Sequence, residues 1–237
     1  TYTFGEGTVT VRPTAKVVWT GAAEDGALWS NINNWSNTVA VPDGADVALD
    51  FGYSQLASDD HIVLDVAAGV TLANLAYGHG VAGSVLTLTC PAAVTNVLAF
   101  VSNGVVRVEE GRTLVLDTDV LMKGPLRKYG AGTLILNRRV YGESEADTFW
   151  FLIMEGQVRG RGEMNRLRVQ PASASLLEPP PEFILEGESA VLRDRVIAAP
   201  GYQNQGQDRG VFTQEGGVVD QSTLPVGFYT GVWGSIL

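Results

Sequence analysis

Two histidines, His61 and His79, and a single cysteine, Cys90, are all that this 237-residue chain offers for imidazole or thiol chemistry. Asp59-Asp60-His61 sets two carboxylates beside an imidazole, the residue types that bind a divalent cation or relay a proton. Directly ahead of the apolar run Ile62–Val66, the same triplet reads more simply as a polar turn. No His/Cys spacing suits zinc, and neither a Ser-centred nucleophile elbow nor a Gly-rich phosphate cradle occurs. The expectation is therefore no metal and no cofactor. Cys90 lies in the apolar stretch Val85–Val94, the setting of a buried, inert thiol, and one cysteine excludes an internal disulfide.

Asp117 and Asp119 stand two apart in a strand-like run and so share one face, as paired carboxylates do in polysaccharide hydrolases. Leu114, Leu116 and Thr118 alternate with them and take the inward side, which leaves the carboxylates solvated. Arg107, Arg112, Arg127, Lys128, Arg138, Arg139, Arg159 and Arg161 form a basic set. It suits neutralisation of a uronate, pairing with acidic ends of neighbouring subunits, or plain solubility at sheet edges. Trp19, Trp29 and Trp35 serve either as a sugar-stacking platform or as a packed cap, and the cap is the simpler reading. Asn34-Trp35-Ser36 fits the glycosylation acceptor pattern.

The composition that must carry these side chains indicates many short strands. Gly is 28 of 237 residues, hydrophobic residues make up 45% and charged ones only 18%, so the chain can bury a core. The formal charge of −10 argues against a nucleic-acid partner. It is unevenly spread, at −7 over residues 1–106, +2 over 107–168 and −5 over 169–237. No apolar run is long enough to span a bilayer. Thr1 in place of Met is what a chain matured by signal-peptide removal would show.

From Ile62 onward, apolar-alternating runs recur every 8–12 residues or so: IVLDV, VTLANLAY, VLTLT, VLAFV, VVRVE, TLVLD and TLILN. Gly-bearing turns separate them and leave no room for crossover helices. An antiparallel sandwich and a parallel solenoid both fit that rhythm. Hairpin dipeptides are scarce among the later runs, where only Asn103-Gly104 occurs, and this favours the solenoid. The first thirteen residues alternate as a bent strand, with Tyr2 and Phe4, then Val9 and Val11, in step. Three consecutive prolines at 179–181 break the pattern, and the chain closes with Phe228, Tyr229, Val232, Trp233, Ile236 and Leu237. Those six apolar residues, with Tyr2, Phe4, Val9 and Val11, are the candidate assembly interface.

Lys128-Tyr129-Gly130-Ala131-Gly132-Thr133-Leu134-Ile135-Leu136-Asn137 resembles the core of the autotransporter-associated β-strand repeat, whose pattern is Lys-x-Gly-x-Gly-Thr-Leu-x-Leu. Trp19-Thr20-Gly21, Trp29, Asn34-Trp35, Pro42 and Asp46–Phe51 are similar to the Trp-Asn-Trp lead-in often found ahead of such repeats. The repeat is clear once, and the bulkier YGESEADTFWFLIMEGQVRG follows it. The resemblance spans roughly residues 17–160. It implies a right-handed parallel β-helix exported across the cell envelope and displayed outside.

The expected fold is all-β: a right-handed parallel β-solenoid over 16–170, a β-strand extension over 1–15, and C-terminal strands with an irregular aromatic cap over 171–237. The expected role is that of a secreted structural protein rather than an enzyme. It would be a homo-oligomer or homopolymer built by strand addition or coil stacking, such as a surface filament or layer. An adhesin or carbohydrate-binding module contacting a surface polysaccharide is the alternative, and a polysaccharide lyase or hydrolase is the third reading.

Overall fold

The computed structural model describes residues 2–4, 7–9, 17–36, 38–51, 59–78, 82–91, 96–143, 149–169, 179–198 and 210–220. Val11, His79 and the six apolar residues from Phe228 to Leu237 lie outside them. Among the described residues the chain is strand and turn, apart from one 3-10 turn at Ile32–Asn34.

β1 (Tyr2–Phe4) and β2 (Gly7–Val9) pair antiparallel, with Tyr2 opposite Val9, in a sheet of their own. This corrects the bent single strand read from the alternation: two short strands satisfy each other's backbone groups instead. β3 (Val18–Trp19) and β4 (Trp35–Ser36) pair antiparallel across the 3-10 turn. The rest winds in one sense. β5 (Ala48–Asp50), β6 (Asp59–Val63) and β7 (Val70–Tyr77) start the winding, followed by β8 (Val85–Thr89) and β9 (Val97–Val108). Next come β10 (Thr113–Asp117), β11 (Asp119–Met122) and β12 (Leu126–Tyr129), then β13 (Thr133–Leu136), β14 (Val140–Gly142) and β15 (Phe151–Ile153). β16 (Gln157–Gly160) and β17 (Glu163–Val169), β18 (Glu182–Leu185) and β19 (Val191–Ala198), and β20 (Val211–Gln214) and β21 (Val218–Asp220) continue it.

Every pairing from β5 to β21 is parallel, so the fold is a parallel β-solenoid. One sheet stacks β6, β8, β10, β13, β16, β18 and β20. The other holds two ladders, joined where long strands run through both: β9 pairs with β11 at Val97–Phe100 and with β12 at Gly104–Arg107. Asn103, with φ 62°, sits inside β9. Its Asn-Gly dipeptide turns a corner between parallel ladders and makes no hairpin. The strands beyond the prolines extend the same two sheets rather than forming a separate layer.

Register explains the stability. Leu86, Leu114, Leu134, Val158 and Phe183 lie one above another, as do Leu88, Leu116 and Leu136, and all are buried. Burying each such side chain contributes about 1.5–3 kcal/mol. Between these rows, Thr87, Val115, Ile135 and Arg159 face outward. At Gly160 the aliphatic row breaks, because an added Cβ would stand 2.7 Å from the Phe183 ring, which fills that space.

The coils differ in length while rows stay in register. Thr133 lies over Thr113 after 20 residues, whereas Val211 lies over Glu182 after 29. At the tightest corner Gly130 has φ 81°, and a Cβ there would meet the Val108 carbonyl at 2.2 Å. Gly132 is required for a different reason: its backbone is not left-handed, but its Cβ would lie 2.2 Å from the Glu109 carbonyl. Gly187 also has positive φ, 92°, with open space around it. Gly187→Ala should therefore cost only the conformational penalty, about 1–2 kcal/mol. Gly130→Ala should cost at least about twice as much by urea unfolding, because a backbone carbonyl of the neighbouring coil must also move.

Candidate functional site: the two ends of the solenoid

The N-terminal end is closed. The Val63 amide donates to the Ala27 carbonyl at 3.0 Å, and the Trp29 amide to the Val63 carbonyl at 2.8 Å, so residues 27–29 run parallel over β6. On these sit three edge-to-face indoles, Trp19 against Trp35 and Trp29 against Trp35, each pair 4.8 Å between centroids. Trp29 Nε1 donates to the Pro42 carbonyl and Trp35 Nε1 to the Trp29 carbonyl, which satisfies both buried indoles. Trp29 is 0% exposed. The indoles are therefore a cap, and no sugar-stacking platform exists at these residues.

Asp25 ties the cap together. Its carboxylate accepts from Asn31 Nδ2 at 2.6 Å, from Asn34 Nδ2 at 3.1 Å, and from the Ala27 and Leu28 amides. Burial opposes its ionisation, but these bonds outweigh it and hold the carboxyl below its usual range. Asn34 is fully buried, and its amide nitrogen is committed to Asp25 and to the Leu28 carbonyl. It cannot serve as a glycan acceptor in the fold.

The middle is pinned by Lys128, counted among the surface cations on sequence grounds and in fact 0% exposed. It occupies an inward row between Val106 and Ile153. Its Nζ donates to the carbonyls of Gly130, of Gly132 (2.6 Å) and, in the next coil, of Glu155 (3.0 Å). Glu155 Oε2 in turn accepts from the Gly130 amide at 2.7 Å. The lysine and both glycines of the repeat-like motif thus form one knot with Glu155 of the following coil. A buried ammonium costs several kcal/mol unless fully hydrogen-bonded, and here three carbonyls meet its three protons. Burial pushes its pKa down to about 7, against the pull of Glu155 and Glu109.

The C-terminal end is unlike the other. Phe212 stacks on Phe183 at 5.9 Å and, with Val219, is only half-buried. Gln214 stands in the row occupied below by Leu136 and Leu185, yet it is exposed, and Val218 is 55% exposed. Among the described residues, no strand lies beyond β20 or β21.

The carboxylates and arginines do not converge. Asp117 ends β10 and Asp119 begins β11, with buried Thr118 turning the corner between them, so they lie in different sheets. This corrects their placement on one face, and the turn carries no glycine or proline to announce it. Asp117 pairs with Arg138 at 3.1 Å and Asp119 with Arg139 at 3.6 Å. Arg159 and Arg161 both hold Glu186, whose carboxyl stays below its usual range chiefly through Arg161. Arg193 bridges Glu163 and Asp220. Arg107 pairs with Glu109, Arg127 donates to Asn103 Oδ1, and Arg112 to the Gly111 carbonyl. Most of these contacts clip neighbouring coils together.

Asp60 and His61 lie within β6, not in a turn ahead of it. His61 Nε2 bonds Thr89 Oγ1 at 2.8 Å, and among the described residues no group of three or more His, Cys, Asp or Glu side chains could hold a metal. Cys90 is buried, as its neighbours suggest. No described helix is long and apolar enough to cross a membrane. No protein family, curated protein or solved structure matches this chain.

Lys128→Met should strand three carbonyls and destabilise the fold by roughly 2–4 kcal/mol in urea unfolding. A lysine whose folded pKa is near 7 holds fewer protons in the fold than in the unfolded chain between about pH 7 and its ordinary value of 10.5. Stability from this group therefore rises with pH across that window. The urea midpoint of the wild type should climb from pH 7 to 9, and that climb should vanish in Lys128→Met.

Proposed function

We propose that the chain is an extracellular structural protein, a self-assembling β-solenoid subunit of a surface filament or layer. The observation that carries this reading is the inequality of the two ends. One is sealed by indoles and the Asp25 network, and the other leaves half-buried Phe212 and Val219 above the last described coil. Unpaired parallel edges recruit further strands, and a molecule whose two ends differ can add neighbours in a defined direction.

Two features support kinship with autotransporter passengers and the secreted location that goes with it. The residues that match the repeat, Lys128, Gly130 and Gly132, work together at one corner, which gives the motif a physical reason. The lead-in tryptophans close the first coil. Rigidity along the axis, from in-register rows and coil-to-coil ion pairs, suits a load-bearing part.

Sedimentation velocity and negative-stain imaging of the purified chain should reveal rods that lengthen with protein concentration. A chain that stays monomeric up to millimolar concentration would rule out self-assembly.

A further inference from the structure

We infer that the C-terminal end takes up a strand at β20 and β21, and that the occupant is residues 1–9 of a second copy, laid down as one strand. This rests on the self-assembly reading and adds its direction and its two contact sites. Successive amides of a strand alternate sides. Val211 and Glu215 donate inward to the Pro181 and Leu185 carbonyls, so the amides of Phe212 and Gln214 face away from the solenoid. Val218 donates to the Ala190 carbonyl, so that of Val219 also faces away. None has a partner strand among the described residues.

The opposite end offers no such row. There the His61 amide is taken by its neighbour's Asp60 Oδ1 at 3.0 Å, and the Val63 amide by Ala27. A strand arriving at β6 would find these donors occupied and a carboxylate in its path.

β1 and β2 supply the donor. Among the described residues they pair only with each other and join neither solenoid sheet, and an isolated two-stranded hairpin is marginal in water. Seated as one strand over β20 and β21, residues 1–9 cannot reach that end of their own molecule. Val17 bridges Leu49, and from Leu49 the register climbs through Leu75, Val106, Lys128, Ile153 and Val169 to Ala198. Those seven steps span about 34 Å. Residues 10–16 join β2 to Val17, and the chain from Val9 to Val17 extends to at most about 29 Å. A strand added to the sheet lies across the axis, so its own length closes none of the gap. The donor must come from another copy.

The test uses the full chain and two variants, each blocked at one site. Gln214→Pro removes an outward amide and leaves the inward donors of β20 in place, while Gln214→Ala keeps the amide as a control. The second variant lacks residues 1–12. Circular dichroism and Tm confirm that each is folded, and mass photometry reads its size. Wild type and Gln214→Ala should polymerise, each blocked variant should stay single, and an equimolar mixture of the two should stop at pairs. Polymerisation by Gln214→Pro or by the truncated chain, or a mixture that does not pair, would overturn the assignment while leaving self-assembly intact. A wild type that never assembles would remove both.

Discussion

Everything in this molecule depends on register between coils. Because side chains alternate faces along a strand, a slip of one residue would carry Leu86, Leu114 and Leu134 from the core to water and bring Thr87, Val115 and Ile135 inside. The aliphatic rows make that slip costly at many places at once. They do not by themselves choose between neighbouring coils, since one leucine row resembles the next. The corners choose. Gly130 and Gly132 admit only the close backbone approach seen there, and the carbonyls that Lys128 grips come from its own corner and from one particular residue of the following coil, Glu155.

Electrostatics follows the same logic of coupling neighbours. Individually, half-exposed pairs such as Arg138–Asp117 or Arg193–Asp220 contribute about 0–1 kcal/mol. Their arrangement matters more than their strength, because arginines of one coil reach carboxylates of the next. A basic middle stretch between acidic flanks, visible in the sequence only as a charge gradient, becomes in the fold a set of clips between layers. The cap uses neutral amides around a carboxylate instead.

Much of the architecture was legible from residue spacing. The alternating runs from Ile62 to Asn137 each became a strand or part of one, the short intervals between them excluded helices, and the tryptophans of the lead-in packed as a cap. What escaped was anything decided by residues distant in sequence. Lys128 reads as a surface cation because its charge is plain and its carbonyl partners, one of them 27 residues away, carry no signature. Asp117 and Asp119 read as one face because the bend at Thr118 is made by a buried hydroxyl bonded to the Asn96 carbonyl at 3.0 Å. The hairpin of β1 and β2 hides in an alternation that a single strand would share.

The unequal coil lengths have a consequence for how such a chain varies. From Thr113 to Thr133 a circuit closes in 20 residues, and from Glu182 to Val211 it needs 29, yet both deliver the next strand to the same station. The straight segments behave as ruled lines and the bends as slack. Residues can be gained or lost at a bend, as the 20- and 29-residue circuits show, without shifting any layer above or below. Surface detail is thereby uncoupled from axial position, and one scaffold can be redecorated many times while its pitch stays constant.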